Sequence, residues 1–221
     1  MEFYGVDNVY SESGVDLTLL RENMRRPWES RLLNNLAIAE FSQSLRYNAS
    51  TAAKRENMAV FDPAALLGKL TAHRVQFVLI GGLAMTAHGS AHITQDLDIC
   101  YSRQKYDIEL LVQALAPLHP YMRGAPPGLP FRFDTPTVLA GLNFTLVTDL
   151  GDLDVLGEVS GIGFYEAVRA QSVAKVLYRM SIQVLTVDGL IRAKKAAGRT
   201  KDKLHLLELE EIKKLQQSGG Q

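Results

Sequence analysis

The first sustained period in the chain is helical. Leu17, Leu19, Leu20, Leu32, Leu33, Leu36, Ala37 and Phe41 recur at helical spacings and Pro27 interrupts them, so two helices are expected, one on each side of the proline. Residues 1–14 show no such period and read as an extended or poorly ordered start. Residues 48–56 lack an apolar stripe and read as a linker or a fraying helix end, which puts a boundary near Ala59. Beyond it Asp62 can cap a helix with Pro63 at its first position and Leu66, Leu67 and Leu70 on its buried side. The compact apolar run 75–80, ended by two glycines, has the pattern of a fully buried strand.

A short helix over 83–88 and a strand with alternating faces over 95–101 come next. The helix over 106–115 places Ile108, Leu111, Val112 and Leu115 on one side. Residues 117–136, rich in proline and glycine, form a loop long enough to cover a site. Strands are expected at 142–148 and 152–159, joined by a tight turn at Gly151, with a further strand at 184–187 and closing helices at 190–197 and 201–215. The pattern has no internal repeat. It implies an α/β (α+β) fold: a small mixed β-sheet flanked by helices, with an N-terminal helical extension over 1–59, a main domain over 60–216 and a disordered tail over 217–221.

With 221 residues, 47% apolar and 22% charged, the chain has the composition of a globular protein with a core. Lysine plus arginine balances aspartate plus glutamate at 24 each, so no global field draws it to nucleic acid or an anionic membrane, and any nucleic-acid contact would need a local patch. Arg21, Arg25, Arg26 and Arg31 alternate with Glu22, Glu29 and Glu40, as on a solvated helix face. The single cysteine, Cys100, makes neither an intrachain disulfide nor a thiolate zinc site. An acidic, polar start and the lack of any run near the about 18 apolar residues of a membrane span point to the cytoplasm and no membrane partner.

Chemistry concentrates in two places. In Gln95-Asp96-Leu97-Asp98-Ile99, strand alternation sends Asp96 and Asp98 to one face with Cα atoms about 6.7 Å apart, while Leu97 and Ile99 enter the core. Two such carboxylates can grip a hard cation such as magnesium, or simply form the polar face of a half-exposed strand. Gly81-Gly82 ends a buried strand and opens a helix, where backbone N–H groups and the helix dipole favour a phosphate; a plain turn is the alternative. Neither the dinucleotide fingerprint nor the P-loop is present. Near the C-terminus Lys194, Lys195, Arg199 and Lys201 cluster around Gly198, which is placed to end one helix. Thr94 shares the side of Asp96. His88 reads as a packing or capping residue, Cys100 as an inert buried thiol and Asp149 as structural.

The run IGGLAMTAHGSAHITQDLDI, residues 80–99, resembles the signature of the polymerase-beta-type nucleotidyltransferase superfamily: a glycine pair, a short helix, then Asp-x-Asp on a strand. With GDLDVLGEV (151–159) and AAGRTKD (196–202), the resemblance is closest to the AbiEii-like bacterial nucleotidyltransferases, a group that includes toxins of toxin–antitoxin and abortive-infection systems; it spans about residues 61–209. The chain departs from that pattern at His92, where many relatives carry an arginine, which bears on nucleotide preference. The resemblance implies a nucleotidyltransferase-type sheet with a catalytic, metal-binding triad of Asp96, Asp98 and Asp154, Asp152 being the second choice for the third carboxylate. It further implies a nucleotide site at Gly81, Gly82, Thr94, Lys194, Lys201 and Asp202. The cofactor would be Mg2+ or Mn2+, as two ions, with a nucleoside triphosphate as substrate. The acceptor would be RNA, protein or a small molecule, with a cognate antitoxin as partner.

Overall fold

The computed structural model describes residues 9–27, 30, 61–126, 128–200 and 202–218. The expected helix beyond Pro27, the linker at 48–56 and Lys201 lie outside them, as do residues 219–221, whereas Gln217 and Ser218, expected in a disordered tail, continue the last helix.

Helix α1 (Leu17–Arg25) is capped by Asp16, whose carboxylate accepts the Leu19 N–H, and it ends before Pro27 as expected. Leu20, 1% exposed, joins the main hydrophobic core. Asp62 caps α2 (Pro63–Ala72) through the Ala65 N–H, and Leu66, Leu67 and Leu70 are buried beneath it. Strand β1 (Phe77–Ile80) is buried along its whole length. Helix α3 (Gly81–His88) begins at the glycine pair itself, two residues earlier than the apolar pattern implied, and closes at Gly89 in the left-handed conformation. Strand β2 (Asp96–Tyr101) and helix α4 (Lys105–Leu115) follow.

The segment expected as a loop at 117–136 carries order of its own: a 3-10 turn (Ala116–Leu118), a two-residue strand β3 (Tyr121–Met122) and the start of α5 (Thr135–Ala140). Strand β4 (Asn143–Thr148) turns at Gly151 into β5 (Gly151–Leu156). The expected strand 152–159 breaks at Gly157, and β6 (Glu158–Val159) pairs instead with β7 (Gly163–Phe164) as a separate two-stranded sheet. Helix α6 (Tyr165–Arg169) leads into a hairpin of β8 (Ser172–Leu177) and β9 (Met180–Leu185), of which the sequence pattern marked only the end. Thr186 caps α7 (Val187–Ala197), Gly198 ends it at φ +62, and α8 (Asp202–Ser218) closes the described chain.

The architecture is α+β with a mixed sheet, as expected, although its order β3-β4-β5-β2-β1-β9-β8 has seven strands where the pattern marked five. At the centre β2 runs antiparallel to β1 and parallel to β5. Helices α2, α4 and α6 pack against one another or the central strands, as do α3, α7 and α8. Leu97, Ile99, Leu153 and Val155 are completely buried, which holds β2 and β5 rigidly in register; truncating such a residue to alanine costs about 2–5 kcal/mol. Among the described residues no helix is long and apolar enough to cross a membrane.

Candidate metal and phosphate site

Parallel pairing of β2 with β5 sets Asp96 opposite Asp152 and Asp98 opposite Asp154. Alternation sends Leu97, Ile99, Leu153 and Val155 into the core, so the four carboxylates share the other face, two per strand. One oxygen from each of Asp96, Asp98 and Asp154 lies within 4.8 Å of the others, close enough to converge on a single ion. Asp154 stands against Asp98 and belongs to this converging trio, while Asp152, the second choice for the third carboxylate, stands against Asp96 and is 38% exposed.

The glycine pair is fitted to these acids. Gly81 has φ +64, and a Cβ there would overlap the Asp98 carboxylate; a Cβ on Gly82 would lie 2.6 Å from Thr94 Oγ1. Only hydrogen at both positions lets the start of α3 touch the acid face. The Gly82 N–H donates to the Asp98 carboxylate, and Ile80, the residue before the helix, supplies no side-chain cap. Thr94 precedes β2 and is not part of it, yet its hydroxyl donates to Asp96 Oδ1 at 2.6 Å, which orients that carboxylate.

Electrostatics mark the cluster as short of positive charge. Burial, then the neighbouring charges of Asp96 and Asp154, raise the Asp98 carboxyl from 3.8 to about 7, against the pull of the Gly82 N–H and of Lys194. Burial also raises Asp152 and Asp154, with Arg123 opposing.

Arg123 is the residue that sequence reasoning missed. It follows β3, and its N–H bonds Thr145 O, extending the β3–β4 ladder by one residue. Thr145 stands opposite Asp154 and Asp154 opposite Asp98, so Arg123, Thr145, Asp154 and Asp98 form one row across four strands. From there the guanidinium reaches over β4: Nη2 donates to Asp154 Oδ1 at 2.6 Å, Nε lies 3.1 Å from Asp152 Oδ2, and Nη1 lies 4.0 Å from Asp96 Oδ2. The segment expected to cover a site thus supplies a cation to it, with no local signal beyond an arginine in a proline- and glycine-rich stretch.

Lys194, 11% exposed, donates to Asp202 Oδ1 at 3.0 Å and lies 3.0 Å from His205 Nδ1. Asp202 is 1% exposed, and its other oxygen takes Arg199 Nε at 3.0 Å. Asp202 therefore faces inward to hold Lys194 and Arg199, while the Lys194 charge is felt at Asp98. The His92 ring packs at a tilt of 58° against that of His205, with centroids 4.1 Å apart. Glu208, also unmarked by sequence reasoning, accepts from Ser90 Oγ and the Ala91 N–H, both at 2.8 Å, which ties the chain between α3 and β2 to α8. His88 bonds Leu185 O at 2.8 Å in the interior, Cys100 is buried, and Asp149 pairs on the surface with His119. Compared with known proteins, the chain matches no family model and no curated protein.

Proposed function

We propose that the chain is a metal-dependent nucleotidyltransferase that moves a nucleoside monophosphate from a nucleoside triphosphate to a hydroxyl acceptor. The observation that carries this reading is the paired carboxylates of β2 and β5 set directly against the Gly81-Gly82 opening of α3. The all-oxygen donor set of Asp96, Asp98 and Asp154 suits a hard divalent cation, Mg2+ or Mn2+, and the raised Asp98 carboxyl marks charge that such an ion would compensate. When bound, the cation would neutralise triphosphate charge and favour ionisation of the attacking hydroxyl.

The chain's own groups supply the rest. The start of α3, where Ile80 supplies no side-chain cap, offers its remaining N–H groups and its dipole to phosphate oxygens. Lys194, held by Asp202, adds a positive charge beside Asp98. Thr94 fixes the Asp96 rotamer. Asp154, its pKa raised by burial, is suited to take the proton as the acceptor oxygen bonds to the α-phosphorus and pyrophosphate leaves with the broken bond's electrons. RNA, protein and small molecules are all candidate acceptors. The AbiEii-like resemblance extends the proposal to a cytoplasmic toxin with a cognate antitoxin.

One observation favours a second reading, a nucleotide-binding protein without turnover: Arg123 already pairs with Asp152 and Asp154. The deciding experiment is Mg2+-dependent transfer from α-labelled ATP, CTP, GTP and UTP to total RNA and protein, with Asp96→Ala/Asp98→Ala as control. Label incorporated by the wild type alone supports the enzyme. Nucleotide binding by calorimetry without transfer selects the second reading.

A further inference from the structure

We propose that Arg123 is a built-in counter-cation that competes with a divalent cation for the carboxylate cluster, so that the ion binds fully only when the guanidinium leaves Asp154. This rests on the reading of Asp96, Asp98 and Asp154 as a cation site. Four carboxylates crowd one face of β2 and β5, and the Arg123 guanidinium is the cation that pairs with three of them. Lys194, the other cation near the cluster among the described residues, is committed to Asp202. Asp154 belongs both to the ion-binding trio and to the tightest Arg123 contact, at 2.6 Å, so the two cations draw on the same carboxylate.

The way the guanidinium is held suits displacement. Nε is shielded from water, yet its N–H is not aligned on an acceptor although Asp152 Oδ2 lies 3.1 Å away. Nη2 makes one short bond, to Asp154, and a long one of 3.4 Å to Leu146 O. A fitted bidentate pair would have two aligned bonds to one carboxylate. Arg123 is held by the field of the cluster, and a divalent charge placed in that field removes the reason for it to stay. Arg123 sits in the turn between the two-residue β3 and Gly124, at φ +77, and its side chain is 28% exposed, so it has an outlet to solvent.

Mn2+ binding, followed by calorimetry and by loss of the free-ion paramagnetic resonance signal, tests this in wild type, Arg123→Gln, Arg123→Lys and Asp96→Asn/Asp98→Asn. Arg123→Gln is expected to bind Mn2+ about tenfold more tightly than wild type or better, with Arg123→Lys in between. Without metal, Arg123→Gln should melt below wild type, and saturating Mn2+ should close that gap. If metal-free Arg123→Gln does not fold, it is purified with Mn2+ and the rate of Mn2+ loss to a chelator is compared, slower loss than wild type being expected. Equal or weaker Mn2+ binding by Arg123→Gln overturns the competition while leaving the cation site intact, provided wild type binds and the double aspartate variant does not. Absence of Mn2+ binding in every chain overturns the cation site itself, and the competition with it.

Discussion

Replacing Asp98 with asparagine should make the metal-free protein more stable at pH 8, not less. The folded chain raises this carboxyl from 3.8 to about 7, mainly by burying it and then by holding Asp96 and Asp154 against it. A folded state that holds the proton more tightly than the unfolded chain is favoured at low pH; its advantage shrinks as pH rises from about 4 to about 7 and stays lost above. The gap corresponds to about 4 kcal/mol of repulsion and desolvation carried at pH 8. Asparagine removes the charge and keeps an oxygen for the Gly82 N–H, but its amide gains no evident acceptor, which returns about 1–3 kcal/mol of that gain. A net gain of about 2 kcal/mol would read as about 4–8 °C in melting temperature for a chain of this size.

The assay is a thermal melt in EDTA from pH 4 to pH 8, repeated in saturating Mn2+. In EDTA Asp98→Asn should melt below wild type near pH 4, where the wild-type carboxyl is protonated and only the cost of the amide remains, cross it as pH rises, and melt above it at pH 8. In Mn2+ the order should reverse, because ligand at 100 times its Kd stabilises the wild type by about 2.7 kcal/mol and the variant has lost a ligand. A variant that melts below wild type at pH 8 in EDTA, or a separation that does not change with pH, would refute the reasoning.

Gly81→Ala should cost about 1–2 kcal/mol for its positive φ and in addition abolish Mn2+ binding, since the new Cβ overlaps Asp98; Gly198→Ala, at a similar φ with open space around it, should show the first effect without the second in a parallel melt and Mn2+ titration. Asp202→Asn should destabilise by about 3–5 kcal/mol at pH 7 by stranding Lys194. Burial alone would raise the Asp202 pKa, but bonds from Lys194 and Arg199 hold it below the ordinary value, so this contribution is present at neutral pH and fades as pH falls below 3.8; urea melts at pH 7 and pH 3 should show the difference between wild type and variant shrinking. Burial pushes the Cys100 thiol up to about 12, so iodoacetamide at pH 8 should leave native protein unmodified and label it only in urea, as mass spectrometry would report.

Asp96 and Asp98 were legible in the sequence because strand alternation is a local rule, and two residues on one strand need nothing else to share a face. Asp152 and Asp154 obey the same rule, but the choice between them depends on how β5 aligns with β2, and register between strands more than fifty residues apart is set by tertiary packing. Thr94, expected only to share the side of Asp96, lies two residues before β2 and reaches Asp96 through its hydroxyl. The hairpin of β8 and β9 escaped notice for a different reason. Its two-residue turn, Tyr178-Arg179, takes positive φ of +49 and +64 without the glycine or asparagine that usually announces such a turn. Arg123 lies furthest from any local signal. Its place in the site depends on the β3–β4 ladder, on the Thr145 carbonyl that takes its N–H and on the register of two further strand pairs. Each of those is a long-range pairing, and so the acids of this site can be found by period while the cation that answers them can be found only by folding the chain.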